Sequence, residues 1–312
     1  MIVWIEDHSH IFWILYYRDI FKCIQFLLVH LPFQAHLDFE LVHLADSESR
    51  WIYSEINTGD WWWWDMHNQH PVEVMIVPVI CVSDKTHLTN SSGDHHAWPL
   101  YLIIGNIGKD ILSTPKKQAW ILVGLIPCPP KGANNTDEAC NFTVQTVLSS
   151  LQILDITGPG MKWNWADGFE RQCYPLLAAQ VGDYPEQVMI VQLTYGSCPM
   201  CEIPKDAPMG HSNCQTLDNS RDQHIFSELL DDTNIDVLHT LRVHPIRNQF
   251  WQLPLCNVYQ LWQHHELYQL LLRLVKDLLH WLLKYLNTRN FDDQFNNRFR
   301  SVPQNPDLQR FS

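Results

Sequence analysis

Positive charge is scarce in this chain. Its 312 residues include 21 Lys and Arg against 34 Asp and Glu, a formal net charge of -13, and charged residues of both signs make up only 18%. Nucleic-acid affinity rests on Lys and Arg neutralising phosphates. So acidic a chain is an odd partner for nucleic acid, and any contact with such a polymer is expected to be local or to belong to a part of the protein outside this sequence. Divalent cations held by carboxylates would lower the negative charge where they bind. Long uninterrupted apolar runs are lacking too. Residues 11–33 are apolar, but Arg18, Asp19 and Lys22 interrupt them, whereas a spanning helix wants about 20 apolar residues with few charges. The segment reads as a buried amphipathic helix. Residues 270–286 place Arg273, Lys276, Asp277, His280 and Lys284 on one helical face and Leu271, Leu274, Val275, Leu278 and Leu282 on the other, the pattern of a core or partner-binding helix. No membrane partner is expected. The first ten residues have neither the basic region nor the small-residue cleavage site of a signal peptide. Also missing are a phosphate-binding Walker loop, a Gly-rich dinucleotide fingerprint and a G-x-S-x-G elbow.

Apolar material is plentiful: 46% of residues are hydrophobic and 12% aromatic, enough for one large domain or two smaller ones. Nine cysteines at irregular spacing argue against a secreted disulfide scaffold and for a reducing compartment. Residues 1–60 read as helix, then loop. Residues 74–82 (VMIVPVICV) have the β-branched character of a buried strand, although Pro78 suits an edge or a bulge better. Residues 97–104 (AWPLYLII) and 120–126 (WILVGLI) read as two more strands, 134–154 as a helix, and 173–181 (CYPLLAAQV) as a further strand. From Ser227 onward the pattern is helical. Three strands, a helix and another strand imply an α/β layered domain. The tryptophans at 61–64 and 163–165 are read as core residues.

Three constellations can carry chemistry. Asp84 directly follows the 74–82 run, at the rim of a sheet, where α/β folds gather catalytic side chains; the plainer reading is a turn or cap aspartate. Asp183 follows the 173–181 run and precedes a helix, and its plainer reading is a helix N-cap. If the two converge, they could hold divalent metals for an in-line phosphoryl displacement, and hard Mg²⁺ prefers such oxygen ligands. The third is Cys198-Pro199-Met200-Cys201, with His211 and Cys214 downstream. These are the ligand types and tight pairing of structural Zn²⁺. A redox pair would want a helix N-terminus at the motif, and two coincidental buried thiols remain the third alternative.

Specific strings then carry a resemblance. Residues 55–63 (EINTGDWWW), 83–90 (SDKTHLTN), Gly93-Asp94 with Ala97-Trp98-Pro99, 126–133 (IPCPPKGA), 155–160 (DITGPG), 166–175 (ADGFERQCYP), 181–187 (VGDYPEQ), 197–203 (SCPMCEI) and 244–251 (HPIRNQFW) resemble, in order, segments of the Plavaka transposases, a mainly fungal branch of the CACTA elements. The resemblance implies a ribonuclease-H-like core with an Asp-Asp-Glu triad that binds Mg²⁺ or Mn²⁺, DNA at transposon ends as partner, and a nuclear location; self-association is compatible with it. Carried over, Asp84 is the first acid and Asp183 the second, and Cys198 and Cys201 match a family C-x-x-C. The expected layout is a helical segment over 1–66, part of the catalytic core over 67–196, a Cys/His-rich insert over 197–222 and a helical segment over 223–312. Departures accompany the match. The family's Pro-Asp-x-Leu-His-Gln motif corresponds to residues 264–269 (HHELYQ), with His265 and Tyr268 in place of its Asp and His, and Arg273 stands where a glycine is usual. The third acid is expected beyond the following helix, in a Trp-x-Gly-x-Glu context that the chain does not reach. The expectation is a transposase-derived chain with an incomplete triad and little activity, or a non-catalytic DNA- or protein-binding module that keeps the fold.

Overall fold

The computed structural model describes residues 2–6, 12–62, 74–88, 96–128, 136–152, 160–199, 242–244, 248–261, 278–282 and 284. Contacts divide the chain into one unit spanning Met1–Gln263 and another spanning His264–Ser312. In the second unit the described residues 278–282 are helical. The rest of the amphipathic pattern read over 270–286 lies largely outside the described residues.

The first unit is organised by a seven-stranded mixed sheet. Its strands are β1 (Ile2–Glu6), β2 (Phe12–Tyr17), β3 (Met75–Ser83), β6 (Pro99–Ile104), β7 (Ile121–Leu125), β8 (Met161–Asn164) and β9 (Glu170–Val181), in the spatial order β1-β2-β7-β6-β3-β9-β8. Two short strands, β4 (Thr86–His87) and β5 (His96–Ala97), form a separate ladder. Every neighbouring pair in the large sheet is antiparallel except β3 and β9, which run parallel. A parallel pair needs a long crossover; beyond the short helix α2 (Lys109–Leu112), which lies between β6 and β7, α3 (Thr136–Gln152) lies in the chain between β7 and β9.

Burial on both faces explains why β3 reads as one continuous apolar run. Val77, Val79 and Cys81 join Leu100, Leu102, Ile104, Val123 and Leu177 in the main core. Ile76 joins Trp62, Tyr174 and Leu176, and Ile80 joins Ile103 and Ala179, in two smaller clusters. Successive side chains of a strand point to opposite faces, so a strand covered on both sides has no polar alternation to show. Pro78 is tolerated at the centre of the sheet because the antiparallel ladder to β6 starts only at Val79, and the ladder to β9 shifts register between Val79 and Ile80. Its carbonyl still accepts the Gly105 N–H at 2.8 Å.

The helix expected over residues 11–33 forms only in part. Residues 12–17 are strand β2, and β1 pairs with it from Ile2↔Tyr16 to Glu6↔Phe12. Within β2, Ile14 and Tyr16 are exposed and Leu15 is buried, a period of two that a wholly apolar string conceals. Helix α1 (Ile20–Val29) begins at Asp19, whose side chain accepts the N–H groups of Phe21 and Lys22 at 3.0 and 3.2 Å. The charges that interrupt the apolar run thus mark a helix N-cap. Ile20, Cys23, Ile24, Leu27 and Leu28 form the buried stripe of α1, each large aliphatic one stabilising by about 1.5–3 kcal/mol. This helix packs on α3 and on β6, β7 and β8. From α3, Cys140, Val144, Val147, Leu148 and Leu151 face the same core. The helical reading beyond Ser227 also needs correction over 248–261. That stretch holds one short 3₁₀ turn, Gln249–Gln252, and further turns; Asn248 caps the turn by accepting the Phe250 N–H, and Pro254 follows it. Trp62, Trp163 and Trp165 are buried; Trp63 and Trp64 lie outside the described residues. No described helix is long and apolar enough to cross a membrane.

A candidate site at the ends of two parallel strands

The parallel ladder between β3 and β9 runs to Val82↔Val181. Each chain then continues past the sheet in the same direction, and the second residue after that last pair is an aspartate on both: Asp84 on one, Asp183 on the other. The register thus delivers two carboxylates, distant in sequence, to one edge of the sheet. Both are exposed.

Their local settings differ. Asp84 lies in the two-residue link between β3 and β4, and its carboxylate has no hydrogen bond or ion pair. Asp183 is the N-cap of α4 (Tyr184–Ile190), and its Oδ1 accepts the Glu186 N–H at 3.0 Å. The plainer reading of Asp183 is thus correct as local structure. It does not use up the side chain, because a carboxylate has about four acceptor sites.

Between the two loops lies a third acid that the sequence reading left without a role. Glu186 is 3% exposed. One of its oxygens accepts the Ser83 hydroxyl, and the other accepts the Lys85 N–H at 3.0 Å. The buried Gln180 side chain donates in turn to Ser83 Oγ at 3.2 Å. Burial pushes the Glu186 carboxyl up to about 7; the Ser83 hydrogen bond pulls it back and the nearby Asp183 charge raises it further. A signal for this residue was available. Asp183-x-x-Glu186 has the spacing of a capping box, in which the glutamate would turn back to its own cap. Here the carboxyl turns into the sheet instead, and only the fold reveals that choice.

A cleft of about 530 Å³ opens beside these groups, and Lys85, Trp98, Asp183, Glu186, Tyr195 and His244 contribute to its wall. Lys85 Nζ sits 5.4 Å from the Trp98 ring centroid and has no carboxylate partner. Tyr195 is 73% exposed and meets Tyr184 edge-on at 5.5 Å. Tyr184 is itself fixed, its hydroxyl donating to the Ser197 carbonyl at 2.8 Å and accepting the Gly196 N–H at 3.0 Å.

Of the cysteine constellation only Cys198 is among the described residues. It is half-buried, while Cys201, His211 and Cys214 lie outside the described residues. Among the described residues, no three His, Cys, Asp or Glu side chains are grouped so as to share a metal ion. Cys81 and Cys173 are core residues, their thiols pushed up by burial to about 12 and about 11, and such thiols are inert.

A family model described as Plavaka transposase matches residues 7–282. No curated protein and no solved structure matches. The matched span takes in both strand-end aspartates, the helix that follows the second, and nearly all of the described core, so the chain belongs to the Plavaka transposase family.

Proposed function

We propose that this transposase-derived chain carries a divalent-metal site at Asp84 and Asp183, built for phosphoryl transfer on transposon-end DNA, and that turnover at this site is low. The observation that carries the reading is the parallel β3–β9 register, which sets the two aspartates at one sheet edge. A ribonuclease-H-like core is supported by the same topology: antiparallel β3, β6 and β7 side by side, then α3, then β9 returning parallel to β3. The donor set fits Mg²⁺ or Mn²⁺, because one or two carboxylates, with substrate phosphate and water, satisfy a small hard cation. When bound, such an ion polarises a phosphoryl oxygen and makes a hydroxide nucleophile accessible at neutral pH.

The chain's own residues supply the rest. Lys85, unpaired at the cleft wall, offers a point charge to a phosphate. With a net charge of -13, binding of DNA depends on such local positive groups and on the metal. Low turnover follows from the ligand count. Among the described residues no third free carboxylate joins the two aspartates, and two carboxylates hold a second metal poorly.

Two measurements test the reading. Mn²⁺ titration of the full chain should show binding that Asp84→Ala abolishes; wild-type protein that binds no Mn²⁺ would overturn the metal site. A nicking assay on transposon-end DNA with Mg²⁺ or Mn²⁺ should give slow cleavage at most. Rapid cleavage that Asp84→Ala removes would overturn the low-turnover half. Salt-sensitive DNA binding with no cleavage and no Mn²⁺ would favour a non-catalytic module that keeps the fold.

A further inference from the structure

We infer that Glu186 is the positioning residue of this site: its buried carboxyl ties the loop carrying Asp84 to the cap carrying Asp183, and so sets the spacing of the two aspartates. The inference rests on the metal-site reading above.

Asp84 sits between two residues that Glu186 holds. The Ser83 hydroxyl and the Lys85 N–H both donate to its carboxyl, one to each oxygen. Apart from its carbonyl, which accepts the Thr86 hydroxyl at 3.3 Å, Asp84 has no hydrogen bond, and the position of its carboxylate is inherited from its flanks. On the other strand Asp183 holds Glu186 through the Glu186 N–H at 3.0 Å, and the Gln187 side chain donates to the Gly182 carbonyl at 2.9 Å. A single residue therefore bonds with its main chain to one aspartate and with its side chain to both neighbours of the other. Ser83 is also gripped by Gln180, which lies on β9, so the hydroxyl cannot swing away without leaving a buried donor unpaired. Second partners that orient a metal ligand contribute roughly 10–100-fold to metal affinity.

A ligand role is a different assignment, and the geometry disfavours it. Both carboxyl oxygens of Glu186 are already occupied by protein donors, its side chain is buried where the aspartates are exposed, and among the described residues no triplet of ligands forms. The two roles diverge in the glutamine variant. A glutamine at this position keeps one acceptor for the Lys85 N–H and gains an amide that can donate to Ser83 Oγ, so it preserves the tie while discarding the charge that a metal ligand needs.

The test uses the full chain and two readouts: amide hydrogen exchange over residues 83–88, and Mn²⁺ affinity. Glu186→Ala should speed exchange of the Lys85 amide at least about tenfold and weaken Mn²⁺ about 10–100-fold. Glu186→Gln should restore both to near wild type. If Glu186→Ala leaves exchange at Lys85 unchanged, there is no tie and the inference fails. If Glu186→Gln keeps slow exchange but loses Mn²⁺ as fully as Asp84→Ala does, Glu186 is a ligand and the positioning role fails. If wild-type protein binds no Mn²⁺, the metal-site reading falls, and the exchange arm alone decides whether Glu186 couples the two loops. Should Glu186→Ala not fold, Ser83→Ala removes one of the two anchors, and faster exchange at Lys85 is again the expected result.

Discussion

The two ends of the β3–β9 pair differ in what they do with charge. At the starting end, where Met75 lies opposite Cys173, the charges are consumed. Arg171 forms a two-pronged pair with Asp167 at 2.9 and 2.6 Å, and its guanidinium lies 4.4 Å from the Phe39 ring and 5.3 Å from the Trp165 ring. That pairing holds the Asp167 carboxyl below the usual carboxylate range. At the finishing end the charges are left over. Asp84 has no partner, Lys85 has only an aromatic face, Asp183 uses one oxygen as a helix cap, and Glu186 is an acid held close to neutrality. One end of the same strand pair has its charges satisfied within the fold; the other is the end to which the proposed metal site is assigned. Satisfied charge locks a structure, whereas unsatisfied charge at an exposed rim is available to a metal or a phosphate.

That contrast can be broken from either side. The largest effect is expected at the closed end. Trp165→Ala removes a buried ring that packs on Phe39 and Arg171 and donates its indole N–H to Cys173. It should cost about 4 kcal/mol in urea unfolding while leaving Mn²⁺ affinity unchanged in the protein that remains folded.

Next in size is a pH effect at the open end. The Glu186 carboxyl titrates near 7 in the folded chain against 4.5 ordinarily. Between those values the folded state keeps a proton that the unfolded state has lost. The stabilising contribution is therefore full below about pH 4.5 and is gone once the pH has risen past about 7, a loss of about 3 kcal/mol. Urea unfolding of metal-free protein across that window should show the decline, and Glu186→Gln should flatten it. An unchanged slope in the variant would mean that another group carries the effect.

Arg171→Ala comes third. It strands Asp167 and strips three rings, Phe39, Trp165 and Phe169, of their cation, for about 2 kcal/mol by denaturant midpoint, again with no change in Mn²⁺ binding. The smallest stability change belongs to Asp84→Asn and Asp183→Asn. Asparagine caps a helix as well as aspartate does, and an exposed link residue contributes little, so each should stay within about 0.5 kcal/mol of wild type. Each should nevertheless abolish Mn²⁺ binding. If the asparagine variants instead unfold the chain, the open end is structural and the contrast between the two ends collapses.

Much of the central sheet was legible in the sequence. The runs at 74–82, 97–104, 120–126 and 173–181 appear as β3, β6, β7 and β9, and the pattern at 134–154 as α3, because strands buried on both faces leave a continuous apolar signature and a long helix leaves a periodic one. The N-terminal hairpin was not legible. Strand β2 and helix α1 adjoin in one apolar stretch, and short apolar runs do not distinguish strand from helix without a partner. The residues over 248–261 likewise read as helix but were diverted into turns around Asn248 and Pro254.

What the sequence determined by itself was the family, the strand and helix segments of the central layer, and the two aspartates that follow apolar runs. Those properties are local: each is written in a string of adjacent residues. What only the tertiary structure decided was that β9 returns parallel to β3 in a register that brings Asp84 and Asp183 to one edge, and that Glu186 turns inward to join their loops. Both are pairings between residues about a hundred positions apart. Such pairings are fixed by which faces the core must bury, and no stretch of neighbouring residues records them.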